Sequence, residues 1–291
     1  MKKIISIIGQ TSSGKSSLAI DLAKFFDGEI VSADSRQVYK GLDWCSGKVS
    51  ADEMLQVKHH LIDVANLGEQ FTLFDFQKMA YQKIDEVLSK NKLPFLVGGT
   101  GLYSRSVVEG YDLAETQPDL KLRSDLENKS KEELLNICKE KNIEIEGEIT
   151  SRRLIRIIEK NENIQQKNKP RYEVLQIGIL WSRAEIYDRI KQRLEMRMPF
   201  MIEEIKSLLK KGVNREFLMS LGLEAKHIIL YLDGQYASYE EFFAELFKHE
   251  RHFAKRQNTW YNKEANTIWL DAKQDLFENA KKLIVEFLNK K

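Results

Sequence analysis

The chain has 291 residues, a length that fits one large domain or two modest ones. Hydrophobic residues make up 42% and charged residues 31%, which is the composition of an ordinary globular protein and excludes a disordered or low-complexity chain. The formal net charge of +2 argues neither for nor against a nucleic acid partner, so the distribution of the charges has to decide.

The first predicted elements are a strand, a glycine-rich loop and a helix. They are the apolar run 4–8, the loop Gly9-Gln10-Thr11-Ser12-Ser13-Gly14-Lys15-Ser16 and the segment 17–26. The loop has the pattern G-x-x-x-x-G-K-[ST], in which glycines and helix N–H groups surround phosphates and a lysine adds charge. The hydroxyl of Ser16 lies where a magnesium ion would be held. The pattern therefore predicts a polyphosphate site, without indicating the reaction.

A second strand is predicted over 29–33, and the polar segment 34–43 follows it. Ligand-binding residues of open α/β sheets lie beyond the carboxyl ends of the strands, so we expect Asp34 near the phosphate loop. Taken alone, this aspartate is better explained as a turn or helix-capping residue. Residues 59–64 are predicted to form a further short strand.

A buried strand over 93–97 leads into a second glycine-rich turn, Gly98-Gly99-Thr100-Gly101, and a helix begins directly after it. We expect this turn to face the first one across the same edge of the sheet, with the hydroxyl of Thr100 presented there. For Gly98 and Gly99, close packing of strand and helix explains the residue type equally well.

The composition changes after Gly110 and becomes rich in Lys, Glu and Asn, with short amphipathic pieces. We therefore predict a small all-helical insertion domain over 112–170, between two parts of an α/β core, 1–111 and 171–291. Arg152, Arg153 and Arg156 flank an apolar stripe in this insertion.

Two further basic clusters follow. Arg189, Arg193 and Arg197 recur at helical spacing beside an apolar stripe, and three such cations repel one another unless an anion lies against them. A solvated face balanced by nearby acids is the alternative. The end of the helix that follows Ser238 carries Lys248, Arg251, Lys255 and Arg256. Three basic clusters in a nearly balanced chain indicate a phosphate-backbone partner, although cations also favour helix C-termini for dipole reasons.

Bulk features indicate where the protein is found. No apolar stretch is long enough to span a bilayer, and the N-terminus enters the first strand without a signal peptide. Cys45 and Cys138 are isolated, so they support neither a zinc site nor a disulfide framework. We expect a cytoplasmic protein with reduced thiols and no membrane association.

Together these motifs resemble the bacterial tRNA dimethylallyltransferases, also called tRNA isopentenyltransferases. The matching blocks extend over nearly the whole chain: 9–16, Asp34-Ser35-Arg36-Gln37-Val38-Tyr39-Lys40-Gly41-Leu42-Asp43, 59–63, Gly98-Gly99-Thr100-Gly101-Leu102-Tyr103, 189–193 and Ala254-Lys255-Arg256-Gln257-Asn258-Thr259-Trp260. The first block is shared with many kinases, whereas the second, fourth and sixth together are far more specific. The chain departs from the family pattern at 196–201, which is shorter, and at Leu223, where an aromatic residue is usual.

The resemblance implies a P-loop NTPase-like α/β fold, with a parallel sheet flanked by helices, and we expect the enzyme to be a monomer. Such an enzyme transfers a dimethylallyl group from its diphosphate to the N6 amine of adenosine 37, beside the tRNA anticodon. Asp34 would be the general base, and Thr100 and Arg193 would contact the diphosphate at the breaking bond. The diphosphate would be held, with Mg²⁺ at Ser16, by Gly9, Thr11, Ser12, Ser13, Gly14, Lys15 and Ser16. Contacts with tRNA are expected from Asp34, Ser35, Arg36, Gln37, Thr100, Lys121, Arg152, Arg153, Arg156, Arg251, Lys255 and Arg256.

Two other functions also explain part of the pattern. A small-molecule P-loop kinase would use the same loop, with Arg152, Arg153 and Arg156 as a lid, and would be stabilised by ATP. A non-catalytic RNA-binding protein with a vestigial loop is the second alternative. The intact set of Lys15, Ser16, Asp34, Thr100 and Arg193 argues against it.

Overall fold

The computed structural model describes residues 1–111, 113, 120–143, 145, 149–161, 169–262 and 266–290. For residues 120, 152, 153, 160 and 161 it describes the backbone alone. Contacts divide the chain into two compact units, one formed by Met1–Gly110 with Pro170–Lys291 and the other by Tyr111–Lys169. Among the described residues, no helix has both the length and the apolar character needed to cross a bilayer.

The larger unit is built on a parallel sheet, as predicted. Its strands within the described residues are β1 (Lys3–Gly9), β2 (Gly28–Ser32), β3 (His59–His60), β4 (Leu93–Val97), β5 (Glu173–Leu180) and β6 (Thr267–Asp271). They lie in the order β3-β2-β4-β1-β5-β6, and every neighbouring pair is parallel. Because the first strand lies inside the sheet, the loop that follows it opens at a central position of the carboxyl edge.

Helices of the larger unit connect its strands and cover both faces of the sheet, and further helices form the smaller unit. In chain order they are α1 (Lys15–Phe25), α2 (Ala51–Gln56), α3 (Leu73–Ser89), α4 (Gly101–Val108), α5 (Leu120–Glu127), α6 (Lys131–Glu140), α7 (Ser151–Asn161), α8 (Arg183–Lys210), α9 (Arg215–Ser220), α10 (Leu223–Leu232), α11 (Tyr239–Tyr261) and α12 (Leu276–Asn289). Three of them, α5, α6 and α7, belong to the smaller unit.

The central strand explains the two-sided core, because its side chains alternate between the faces of the sheet. Ile5 and Ile7 of β1 are buried with residues of α1 and α12. Ile4 is buried on the other side with residues of α3 and α4. A strand that is apolar at successive positions is therefore the expected sequence for a parallel sheet covered on both faces.

The predicted strand over 59–64 is wrong beyond His60. Leu61 and Asp63 have φ angles of +62° and +56°, in the left-handed region, which cannot continue an extended strand. His60 itself is buried, and its Nε2 lies 2.7 Å from the carboxylate of Glu29. The chain therefore leaves the sheet early at this edge.

Helix α8 presents the predicted arginine stripe because its apolar stripe is anchored elsewhere. Leu194, Met198, Met201 and Ile205 are buried in a core shared with α10 and α11. The N-cap of the helix is Ser182, whose side chain accepts a hydrogen bond from the N–H of Glu185. With one stripe fixed in this core, the neighbouring stripe has a fixed direction.

The smaller unit has its own apolar core of residues from α5, α6 and α7, including Leu126, Leu134, Cys138 and Leu154. Arg123 Nε and Nη2 donate to the Glu159 carboxylate at 2.8 and 2.7 Å, which joins α5 to α7. Lys121 and Arg156, two predicted tRNA contacts, are exposed in this unit. The side chains of Arg152 and Arg153 lie outside the described part of the chain.

Candidate active site

One cavity of about 1030 Å³ opens in the larger unit, where strands β1, β2 and β4 end. Most of the residues predicted to act on a diphosphate or an RNA base line it together: Thr11, Ser12, Ser13, Gly14, Lys15, Ser16, Asp34, Ser35, Arg36, Gln37, Thr100, Arg193 and Arg256. Gly9, Arg251 and Lys255 are not among its lining residues. The sequence blocks that carried the resemblance therefore converge on a single site.

The phosphate loop has the backbone conformation that its glycines predict. Gly14 is the N-cap of α1 with a φ of +91°, a conformation that favours glycine. The N–H of Ser13 donates to the carbonyl of Gln10 at 3.2 Å, which closes the turn. The first N–H groups of α1 follow this turn, so the loop and the helix N-terminus together offer N–H donors of the kind that bind an anion.

Asp34 has two roles in the geometry. Its Oδ1 accepts hydrogen bonds from the N–H groups of Arg36 at 2.8 Å and Gln37 at 3.3 Å, so it is a turn residue as the alternative explanation held. It also lines the cavity. Because Oδ1 carries both backbone bonds, the turn fixes the direction of the carboxyl group at the carboxyl end of β2.

Thr100 joins this turn to the second glycine-rich turn. Its Oγ1 accepts from the N–H of Ser35 at 3.1 Å and donates to Ser35 Oγ at 3.3 Å. At Gly98, a Cβ would lie 2.0 Å from the carbonyl oxygen of Ala33, so close packing requires glycine there. The turns that follow β2 and β4 are therefore held together.

Arg189, Arg193 and Arg197 of α8 all line the cavity, as their shared helical spacing predicts. Arg189 Nε donates to the carbonyl of Ser12 at 2.8 Å, and Arg193 Nη1 donates to Thr11 Oγ1 at 3.1 Å. Arg197 donates to the carbonyl of Trp44. Burial and the neighbouring Arg197 lower the pKa of Arg193 to about 10. Arg189 and Arg193 therefore lie against the phosphate loop, and Arg197 lies against the loop that carries Trp44.

The surroundings of Lys15 strongly shift the pKa of its side chain. Its Nζ donates to the carbonyl of Gln10 at 2.7 Å. Burial, and then the charge of Arg193, lower its pKa to about 7, while Asp34 opposes the shift. An anion bound in the cavity would restore the charged form.

Binding of inorganic diphosphate is therefore expected to depend on pH through Lys15. Above pH 7 the free lysine loses its proton and must regain it on binding, so affinity falls by up to about tenfold per pH unit from there upward. Titration calorimetry in buffers of different ionisation enthalpy measures both the affinity and the proton uptake. Lys15→Arg is the control, because a guanidinium stays charged and retains only the pH dependence of the ligand and of the other cavity groups, including Glu250. If affinity falls with pH at the same slope in Lys15→Arg and wild type, the pH dependence does not come from Lys15.

Gln257 is a site residue that the sequence reasoning missed. Its Oε1 accepts from the N–H of Thr11 at 2.8 Å, and its Nε2 donates to the carbonyl of Gly99 at 2.9 Å. Tyr261 Oη donates to the same carbonyl at 3.0 Å. This part of α11 therefore holds both glycine-rich turns. The available signal was a neutral, amide-bearing residue on the buried stripe in the basic C-terminal half of this helix.

The predicted basic cluster on α11 separates into different environments. Arg256 lines the cavity, and Lys255 with Arg256 lines an adjacent groove of about 430 Å³. Arg251 is half-buried, with its guanidinium 4.8 Å from the ring centre of Phe247 and 5.5 Å from that of Tyr187. Lys255 and Arg256 are therefore more accessible to a large anion than Arg251.

Glu250 is a second missed residue. It is buried on the cavity wall, where Glu224 also lies. Burial, and then the charge of Glu224, raise its pKa to about 8, although Arg197, Arg193 and Arg256 oppose this. The folded protein therefore holds a proton on this carboxyl group that the unfolded chain releases.

Glu250→Gln is expected to stabilise the protein at alkaline pH. Because the folded pKa lies above the unfolded one, the wild-type free energy of unfolding falls as pH rises from about 5 to about 8. The neutral variant has no such proton to lose, so its free energy of unfolding does not fall in this way. The difference between variant and wild type therefore grows over the interval by up to about 4 kcal/mol. Urea unfolding at several pH values measures it. Glu245→Gln, on the same helix but partly exposed, is the control. A pH-independent difference for Glu250→Gln would contradict the prediction.

The fold and the candidate site together define the class of protein to which the chain belongs. A parallel sheet whose first strand leads into a G-x-x-x-x-G-K-S loop is typical of P-loop proteins. The three arginines that line the cavity with this loop suit a phosphorylated substrate. The sequence profile described as IPP transferase matches residues 37–264. The chain belongs to the IPP transferase family, and the predicted family is confirmed.

Individual relatives agree with this assignment. A tRNA dimethylallyltransferase 2 from Shewanella sediminis is 40% identical over 97% of this chain and 98% of its own length. A tRNA dimethylallyltransferase from Acetivibrio thermocellus is 35% identical over 98% and 96%. The tRNA isopentenylpyrophosphate transferase of Bacillus halodurans has the same fold, with a TM-score of 0.75 and 34% identity over 99% of this chain and 96% of that one. A eukaryotic dimethylallyltransferase shares the fold at 21% identity, with a TM-score of 0.81 over 98% of this chain and 78% of that one.

Proposed function

We propose that this chain transfers a dimethylallyl group from dimethylallyl diphosphate to the N6 amine of adenosine 37 in tRNA and releases diphosphate. Family membership and the names of the relatives support the reaction class. The observation that carries the proposal is the single cavity in which Asp34, Thr100 and Arg193 share walls with the phosphate loop. A proton acceptor and a cationic diphosphate site thus face the same space.

The leaving group accounts for the cationic wall. When the bond from carbon to oxygen breaks, negative charge builds up on the departing diphosphate. Donors fixed in advance around that position stabilise the transition state more than the ground state. Lys15, Arg193 and the N–H groups at the start of α1 supply these donors, and Thr100 adds a hydroxyl.

The acceptor amine accounts for Asp34. An exocyclic amine of adenine is a weak nucleophile and must lose a proton as it bonds to carbon, which a carboxylate within hydrogen-bond reach can accept. Oδ1 of Asp34 is occupied by the turn, so Oδ2 is the atom proposed to receive this proton. The adenine has to leave its stack to enter a cavity, as in other enzymes that modify a base.

A magnesium ion would fit the phosphate loop through Ser16, which lines the cavity. Among the residues that the structure describes, no three His, Cys, Asp or Glu side chains form a group able to hold a metal. Magnesium commonly uses few protein ligands together with phosphate oxygens and water, so a loop hydroxyl suits it. When bound, it would neutralise part of the charge on the leaving diphosphate.

The tRNA anticodon stem-loop is the proposed macromolecular partner of both units. Arg36, Gln37 and Arg256 lie on the cavity wall, and Lys255 lines the adjacent groove. Lys121 and Arg156 are exposed in the helical unit. We propose that the enzyme acts as a cytoplasmic monomer; one copy of the chain supplies the cavity residues that are assigned a role in the reaction.

The test is incubation of unmodified tRNA with dimethylallyl diphosphate and Mg²⁺, followed by mass analysis of the nucleosides. N6-isopentenyladenosine at position 37 is the expected product, and its absence would overturn the proposal. Thermal unfolding with each ligand separates the kinase alternative, because a ligand raises the unfolding temperature only if it binds the folded protein. Stabilisation by ATP with phosphate transfer, and none by dimethylallyl diphosphate, would favour the kinase.

A further inference from the structure

Two aromatic rings form an exposed pair beside the cavity. Trp44 and Phe200 are stacked, with ring centres 4.3 Å apart and an angle of 17° between the planes. Trp44 is 43% exposed and Phe200 is 51% exposed. Trp44 also lines the cavity, as does Met196, which lies one turn before Phe200 and is 68% exposed. We call Trp44 and Phe200 the aromatic platform.

The backbone under this platform is held firmly. The Glu204 carboxylate accepts three successive N–H groups, those of Asp43 at 2.6 Å, Trp44 at 2.8 Å and Cys45 at 2.8 Å. Arg197 donates to the carbonyl of Trp44 on the other side. Such a set of charge-assisted bonds fixes the loop before any ligand arrives, so little conformational entropy is lost when the ring is covered.

The chemistry around the platform indicates what covers it. Arg197 lies between Met196 and Phe200 on α8, and Arg193 lies one turn earlier, so a flat apolar surface adjoins two guanidinium groups. A nucleobase with its phosphate matches this combination, because bases stack on aromatic rings while cations bind the backbone. A five-carbon chain would be better sheltered inside the cavity than on rings that are half exposed.

We propose that the aromatic platform stacks an unpaired base next to the nucleotide that enters the cavity. This inference rests on the proposed function, since it takes the anticodon loop as the RNA. Extruding one base from a loop leaves its neighbour without a stacking partner on that side. The platform replaces the lost stack and so favours the extruded form. Trp44 would thus be a binding residue for the flanking nucleotide.

Binding of an anticodon stem-loop, measured at equilibrium without dimethylallyl diphosphate, tests this subsite. Trp44→Ala is expected to raise the Kd by roughly 5- to 150-fold, the range for loss of one stacked base. Trp44→Phe keeps a ring and should stay within about threefold. Stem-loops lacking the base on the 5′ or 3′ side of the target identify the partner. With the correct base absent, Trp44→Ala and wild type should bind almost equally.

Each outcome decides the proposal. The stacking proposal is overturned if Trp44→Ala loses the same affinity for the complete stem-loop and for both abasic stem-loops. It is also overturned if the variant loses no affinity for any of them. Phe200→Ala gives a second route if Trp44→Ala fails to fold, and retained binding of inorganic diphosphate reports an intact site. If the prenyl chain occupies the platform instead, Trp44→Ala weakens dimethylallyl diphosphate binding and leaves RNA binding unchanged. Failure of the proposed function shows separately, as wild-type protein that binds the stem-loop without modifying it.

Discussion

Asp34→Asn is expected to lower turnover by about 10²- to 10⁴-fold, the range for loss of a general base. Asparagine keeps an oxygen that can accept the N–H groups of Arg36 and Gln37, so the turn should survive. The variant loses only the capacity to take a proton from the amine. Affinity for tRNA and for dimethylallyl diphosphate should therefore stay within a few-fold of wild type.

Single-turnover transfer with saturating tRNA separates this effect from binding. Asp34→Ala is the informative companion, because it also removes the acceptor of the turn and should weaken tRNA binding as well. Asp52→Asn, on exposed helix α2, is the control for an aspartate outside the site. Equal turnover in Asp34→Asn and wild type would exclude this carboxylate as the base.

Arg193→Met is the second substitution for which a large effect is expected. Its guanidinium contacts Thr11 Oγ1 within the phosphate loop, so it is placed to meet charge as the diphosphate departs. Loss of one such fixed donor costs about 10²- to 10³-fold in turnover. The same change should raise the pKa of Lys15, because the charge of Arg193 is one of the causes that lower it.

Two measurements therefore bear on one residue. Single-turnover rates give the transition-state effect, and the pH at which inorganic diphosphate binding begins to weaken reports Lys15. That pH should move upward in Arg193→Met. Arg183→Met, at the exposed start of the same helix, should change neither value. A variant at 193 with near wild-type turnover and an unmoved pH midpoint would remove Arg193 from the site.

The parts of the site that sequence predicts are those encoded locally. The phosphate loop lies between an apolar strand and a helix, and the stripe of Arg189, Arg193 and Arg197 follows from helical spacing alone. The carboxyl ends of parallel strands share one edge, so the convergence of Asp34 and Thr100 also follows from topology. Three of the four predicted strands, those over 4–8, 29–33 and 93–97, agree with the structure to within about one or two residues.

The parts that sequence reasoning missed depend on distant partners. Gln257 meets Thr11 across 246 positions, and Glu204 meets Trp44 across 160, so no local period indicates either contact. Glu250 is an ionisable residue in a basic segment, and only the fold shows that its side chain is buried. The early end of β3 comes from positive φ angles at Leu61 and Asp63, which are residue types that do not demand that conformation.

Gln257 also has a thermodynamic consequence. A single amide joins the backbone of the phosphate loop, proposed to receive the donor, to the backbone of the second glycine-rich turn, proposed to lie beside the acceptor, so a shift of α11 would strain both contacts. A ligand that orders one loop thereby removes part of the entropic cost of ordering the other. By linkage, the factor by which the donor tightens RNA binding equals the factor by which RNA tightens donor binding. Breaking that amide bridge should uncouple the two affinities while leaving each site in place.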